Sequence, residues 1–395
     1  MKMLVQTNFS FALAVCLGCV ALSEPPAYQT IGPFPAGDAR PHQAEIQKRL
    51  DQGVAAPTVF EFAPGEYMLT GAEGLRVPSG ATLLMEGARF VLAETLDKDG
   101  QAFLLENVWH VLIQGGEIVG QRQAWSDGVN VAGVRMLGGG DLRVYGLTCR
   151  NLSSNAVGVF GASDEAPVRN VTLSGVTGIN CCNAYMDYLQ PNKGPAPGSD
   201  RRDQGTAAFY NVDGWTVEGS RFEGSRSDGT HFYHCRNGMF ANSSVTGSQM
   251  GGYFLEGCEN VVASGNLISG NGSRGCTIER DSRFCTLTGN VVTLSGREGL
   301  WMPDVSGIVV TSNIFRENGQ KDDADKDCEI RLDEGEEYKT QTSGIRIESN
   351  LLHTRPNQTA AIYLSEGVED VAVNNNTFTG GAPNEKREER RPAGG

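Results

Sequence analysis

An apolar-x-apolar pair followed three residues later by Asn recurs down the second half of this chain. It reads Val261-Val262-Ala263-Ser264-Gly265-Asn266, Cys285-Thr286-Leu287-Thr288-Gly289-Asn290, Ile308-Val309-Val310-Thr311-Ser312-Asn313, Ile345-Arg346-Ile347-Glu348-Ser349-Asn350 and Val371-Ala372-Val373-Asn374-Asn375-Asn376. Successive Asn residues lie 24, 23, 37 and 26 apart. A near-constant period of this length marks stacked repeats, in which each unit touches only its neighbours. Alternation within each phrase has period two, as in a strand with one buried face, and the Gly, Asn and Ser beside it accept tight backbone turns. The repeats are therefore strands and turns. Earlier coils fit the same frame with Gly116, Leu147, Val176, Ser220 and Ser244 in the Asn position. The solenoid is expected to run from about residue 55 to 380.

Of the 395 residues, 51 are Gly and only 20% are charged. The repeat covers most of that length, so one elongated domain is expected rather than two globular ones. Met1-Lys2, the apolar run from Phe9 to Leu22 and the small-residue site Ala21-Leu22-Ser23 read as a secretory signal peptide over residues 1–23, with cleavage before Glu24. That run is short for a membrane span, and no second one follows it, so no membrane insertion is expected. Residues 24–54 form an N-terminal segment in which a helix over His42–Gln52, with Ala44, Ile46 and Leu50 on one face, would cap the open end of the solenoid. Residues 381–395 are polar, aperiodic and expected to be disordered.

The net charge of −14 becomes −15 without residues 1–23, a surface that repels nucleic acid and anionic membranes. Eight Cys remain, and Cys235 and Cys258 fall one period apart, placing them on neighbouring coils as either a disulfide or two buried thiols. With no Cys-x-x-Cys pair, neither a zinc site nor any cofactor is implied.

The run Ala44-Glu45-Ile46-Gln47, then Thr58-Val59-Phe60-Glu61-Phe62, Pro64-Gly65-Glu66-Tyr67 and Leu75-Arg76-Val77-Pro78-Ser79-Gly80-Ala81-Thr82-Leu83, resembles the first coils of the pectate-lyase-like superfamily. The later repeats are similar to its right-handed parallel β-helix coils, so the resemblance spans about residues 40 to 380. It implies an all-β, three-sheet, right-handed parallel β-helix of the kind found in secreted or surface carbohydrate-active proteins, among them hydrolases, lyases and epimerases. Some relatives work as trimers, which leaves the oligomeric state open. The polygalacturonase motifs and the Asp-Pro-His-Asp signature of alginate epimerases are absent, so no family's catalytic residues carry over.

Aligning the strand that precedes each Asn phrase separates an inward column from an outward one. Phe209, Phe232, Leu255, Ile278, Met302, Leu332 and Leu364 share one apolar column, with Thr230, Tyr253, Cys276, Leu300, Ile330 and Ile362 two residues earlier; these are core. The outward columns are Ala208, His231, Phe254, Thr277, Trp301, Arg331 and Tyr363, then Tyr210, Tyr233, Glu256, Glu279, Pro303, Asp333 and Ser365. Rings interleaved with carboxylates and Arg suit the apolar face and hydroxyls of a sugar. His231, Tyr233, Phe254, Arg280, Trp301, Arg331, Asp333 and Tyr363 are accordingly the candidate glycan contacts. A stacking ladder, or rings covered by loops, is the alternative.

Glu256 and Glu279 fall one coil apart in one column, about 5 Å, near enough that one would hold a proton and the pair would match a retaining glycosidase. Asp304 offers the wider spacing of inversion. Neutralisation of the pair by Arg280, Arg297 or Arg331 is the competing expectation. Acids outnumber bases in these columns, which favours a hydrolase over a lyase or epimerase; a non-catalytic glycan-binding solenoid is the alternative of another class. Two insertions, 188–204 and 317–340, would wall a cleft, and the acidic run Asp322, Asp323, Asp325 and Asp327 in the second only faintly resembles a calcium loop, since Cys328 stands where Gly is needed.

Overall fold

The computed structural model of the protein describes residues 26–34, 42–53, 56–126, 128–183, 201–321, 327–335 and 341–388. The expected signal peptide, most of the 188–204 insertion, and Asp322, Asp323 and Asp325 lie outside them.

The chain is a right-handed parallel β-helix, the hand that a β-crossover-β connection takes in nearly all proteins. A coil carries three strands, as in Tyr253–Glu256, Glu259–Ser264 and Leu267–Ser269, each paired in parallel with its counterpart one coil on. The three faces are carried by two continuous ladders, of 25 and 12 strands. They merge because only a bend separates the first two strands of a coil, and in the early coils even that straightens. Gly100–Gln114 is a single strand pairing with both Leu75–Arg76 and Ala81–Leu84.

The bends are built from left-handed residues. After each outward strand comes a residue of positive φ: Asn211 (52°), His234 (50°), Gly257 (62°), Arg280 (55°, followed by Asp281 at 65°) and Asp304 (53°). At such a φ a residue with a Cβ is strained, and the neighbouring coils stack in a matching conformation to hold it there. The consequence for function is direct, since the bend aims the side chains of Arg280 and Asp304 away from the plain strand alternation.

Inside, the core columns fall where the alternation puts them: Phe209, Phe232, Leu255, Ile278, Met302 and Leu332 are fully buried and Leu364 nearly so. The Asn residues form the expected ladder. Asn266 Nδ2 donates to Asn290 Oδ1 (2.9 Å), Asn290 to Asn313 (2.9 Å), Asn313 to Asn350 (3.0 Å) and Asn350 to Asn376 (3.0 Å). Each Oδ1 also accepts the backbone N–H of the Asn before it, so the ladder satisfies buried donors that a turn would otherwise orphan. One position needs correction: Ser244 pairs with Leu267, which sets Ser243 opposite Asn266, and it is Ser243 whose N–H donates to Asn266 Oδ1 (2.9 Å).

The ends differ from expectation in three ways. The helix is Gln43–Gln52, and its buried face is Gln43, Ile46 and Leu50, with Ala44 exposed; the 3.6-residue period brings 43, 46 and 50 into line, not 44. Gln43 earns its burial by accepting from Gly71 N–H (2.7 Å) and donating to Gly74 O (3.1 Å). Ahead of the helix, Ala27–Ile31 already pairs with Thr58–Phe62, so the ladder starts before residue 55. At the other end Glu385–Arg387 pairs with Ala360–Leu364, and the described structure continues past residue 380 to Glu388. The eight Cys of the described residues are buried, and none of them is in a disulfide. Cys235 and Cys258 turn their thiols to Phe209 O and Phe232 O (3.2 Å each), so the buried-thiol alternative holds over the disulfide.

Candidate active site

Strand pairing follows the outward columns. Ala208 pairs with His231, Phe254 with Thr277, Thr277 with Trp301, Trp301 with Arg331, and Arg331 with Tyr363. In the next column Tyr210, Tyr233, Glu256 and Glu279 are consecutive partners, as are Pro303 and Asp333. What the register leaves open is which of these side chains meet solvent.

The N-terminal half of the columns is closed. Tyr210, Phe160 and Ala208 form a small buried cluster with Tyr233 packed against it. His231 has no exposure; its Nδ1 faces Tyr210 Oη (3.2 Å), its Nε2 faces Glu256 Oε2 (3.3 Å), and its ring stacks on Phe254 at 4.6 Å. Glu256 is 1% exposed and also accepts from Arg280 Nη1. Arg280 in turn lies 3.4 Å from Glu279 through Nε, so one guanidinium is shared by both carboxylates. The expected proton-sharing pair is thus corrected: Arg280 lies against both acids, and Glu256 and His231 belong to the packed wall behind the site, not to a sugar-contacting surface. Tyr363 is corrected as well, since the Glu385–Arg387 strand covers it. Its hydroxyl donates to Glu388, and burial together with that carboxylate pushes its pKa well above the usual phenol range.

The C-terminal half opens into a cleft of about 960 Å³. Phe254, Glu279, Arg280, Trp301, Asp304, Arg331 and Asp333 all line it, together with Glu334, Glu366 and Glu388. Glu279 and Asp304 stand on adjacent coils, Asp304 at the left-handed bend one residue beyond Pro303. Gly335 is required against this acid, because a Cβ there would sit 1.7 Å from Asp304 Cγ.

Trp301 does not offer a bare indole. The Arg274 guanidinium lies 3.7 Å from the ring centroid, and the indole N–H donates to Asp333 Oδ2 (2.6 Å). Behind both stands Glu298, 1% exposed, which takes Arg331 on Oε1 (2.8 Å) and Arg274 (3.1 Å) and Arg297 (3.7 Å) on Oε2. Burial alone would raise the Glu298 pKa; the surrounding guanidiniums, Arg274 foremost, hold it below the ordinary value. Aligning the strands had passed over Arg274 and Glu298, which lie just outside them. A signal was present nonetheless: Asp228, Arg274 and Glu298 each immediately precede a Gly that opens an outward strand. The cleft wall carries Arg274, Arg280, Arg297, Lys321 and Arg331, of which the strand columns contain only Arg331. Among the described residues no group of three or more His, Cys, Asp or Glu converges as a metal site.

Residues 206–384 match the family model described as a right handed beta helix region. No curated protein matches the chain by sequence. Among solved structures, the A-module of the mannuronan C-5 epimerase AlgE4 from Azotobacter vinelandii superposes with a TM-score of 0.70 at 16% identity, over 89% of this chain and 94% of that one. The surface adhesin PfbA of Streptococcus pneumoniae gives a TM-score of 0.59 at 11% identity, over 90% of this chain and 92% of that one. A mutant tailspike protein of the E. coli bacteriophage HK620, solved in complex with a hexasaccharide, gives 0.59 at 15% identity, over 88% of this chain and 62% of that one. At such identities the likeness is one of fold.

Proposed function

We propose that this chain is a carbohydrate-active β-helix protein that holds a glycan along the cleft and hydrolyses it with Glu279 and Asp304. The observation that carries the reading is the convergence of these two carboxyl groups with Trp301 and Phe254 in one open cleft on a rigid sheet. In such a site one carboxyl protonates the glycosidic oxygen while the other stabilises the developing positive charge at the anomeric carbon or activates water. Hydrolysis is favoured over uronan elimination or epimerisation because the guanidiniums are already engaged by protein acids: three by Glu298, and Arg280 by Glu256 and Glu279. Several similar structures act on or bind saccharides by their names, which fits a glycan as the partner.

Glu279→Gln and Asp304→Asn are each expected to lower turnover on a glycan panel by at least about 100-fold while leaving binding intact. Full activity in either variant would sink the assignment of that residue, and an unmodified protein that binds but cleaves nothing would leave a glycan-binding solenoid. No helix of the described residues is long and apolar enough to cross a membrane. With residues 1–23 as a signal peptide the protein acts outside the cytoplasm, and N-terminal sequencing of the exported product should begin at Glu24.

A further inference from the structure

We infer that Glu298 is a positioning residue of the cleft, a buried acid that fixes the orientation of the Trp301 indole by gathering guanidiniums from three consecutive coils. This rests on the reading that the cleft holds a sugar.

Glu298 lies in the turn before Leu300–Pro303 and shows 1% of its side chain to solvent. Its three partners come from successive levels of the solenoid: Arg274 ahead of Cys276–Glu279, Arg297 on its own coil, and Arg331 within Cys328–Asp333. A carboxylate has room for such contacts, and a planar guanidinium that gives one edge to it is held in a fixed plane. The planes so fixed do two things. The Arg274 guanidinium carbon lies over the indole, 3.7 Å from its centroid, and Arg331 also reaches Asp333 Oδ2 at 2.7 Å, the same oxygen that accepts the indole N–H. The ring is therefore held through both its face and its N–H, and both holds trace back to Glu298.

Without the acid, three like charges remain in one small volume, offset only in part by Asp333 and Glu279, and their mutual repulsion would spread the side chains. Arg274 would leave the indole, and Arg331 would no longer be held on the side from which it orients Asp333. Glu298 acts through Arg274, Arg297 and Arg331, so its loss should fall on sugar binding more than on the chemical step.

The test uses the full-length protein with Glu298→Gln, which keeps the shape and removes the charge, and Arg274→Lys, which keeps the charge and removes the plane. Each is compared with its own Trp301→Phe counterpart, so that the difference isolates Trp301 emission from the other three Trp. Acrylamide quenching of that difference signal should rise about twofold or more in both variants, and KM on a cleaved glycan should rise about tenfold with kcat held within about threefold. Arg274→Lys covers the case in which Glu298→Gln fails to fold. Unchanged quenching in Arg274→Lys, or a lowered thermal midpoint with KM and kcat unmoved, would overturn the positioning role. If the unmodified protein engages no glycan, the hydrolase proposal falls, while the quenching comparison still decides whether Glu298 orients Trp301.

Discussion

Glu329 shows how one side chain's surroundings can set its proton. It is fully buried at the start of the strand carrying Arg331 and Asp333, where Asn318 Nδ2 (2.5 Å) and Gln358 Nε2 (3.1 Å) donate to it. Burial raises its pKa to about 7, against the pull of those amides. The sign of the linkage follows. Between the unfolded value of about 4.5 and the folded value of about 7, the native state keeps a proton that the unfolded chain has released. Stability should therefore fall as pH rises through that window and level off above it, by about 3 kcal/mol from this residue. Denaturant unfolding at pH 5 and pH 8 checks this, and Glu329→Gln should flatten the difference. A pH dependence that persists unchanged in Glu329→Gln assigns it elsewhere. The contrast with Glu298 is instructive: both are buried acids, but guanidiniums keep one low and burial among amides lifts the other.

Among the elements, the Asn ladder carries the clearest structural load. Asn290 Oδ1 accepts both the backbone and side-chain N–H of Asn266, while its Nδ2 donates to Ala263 O and Asn313 Oδ1. Asn290→Ala would leave several buried polar groups unpaired, each costing about 1–3 kcal/mol. A loss of about 3 kcal/mol or more in unfolding free energy is expected; a loss under about 1 kcal/mol would mean that water replaces the amide. The bends matter for the other reason. Asn, His, Gly, Arg and Asp alternate at the left-handed bend position from 211 to 304, and it is the bend that carries Asp304 into the cleft. A period-two reading of strands predicts facing correctly within a strand and says nothing about a residue one step past its end.

On the scale of the whole molecule, the Glu385–Arg387 coil borders the site. Glu385–Arg387 continues the stack over Tyr363, and Glu388 reaches the rim of the cleft. Ending the chain after Gly380 should uncover Tyr363 and return its titration toward the ordinary phenol value of about 10. An ultraviolet difference titration reads this directly, and an unchanged high transition would show that the strand does not shield the ring. A solenoid protects its core only where another coil, a helix or a strand covers the next level, which is why both ends carry such elements here.

The sequence by itself determined the period, the parallel stacking, the core columns and the outward register that sets Glu256 over Glu279, because each depends only on local alternation and a constant repeat. It also supplied the Asn ladder, whose amides meet the same position one coil away. Tertiary structure alone decided which outward residues meet solvent. His231 shares a column with Trp301 and Glu256 lies in the next, yet both are sealed by Tyr210, Phe254 and Arg280, while Tyr363 is sealed by a strand that its own column could not announce. Exposure depends on what neighbouring coils and chain ends lay over a surface, and charge balance depends on turns such as the one holding Glu298. Those contacts join residues a coil or more apart through side-chain reach, which no spacing along the chain encodes.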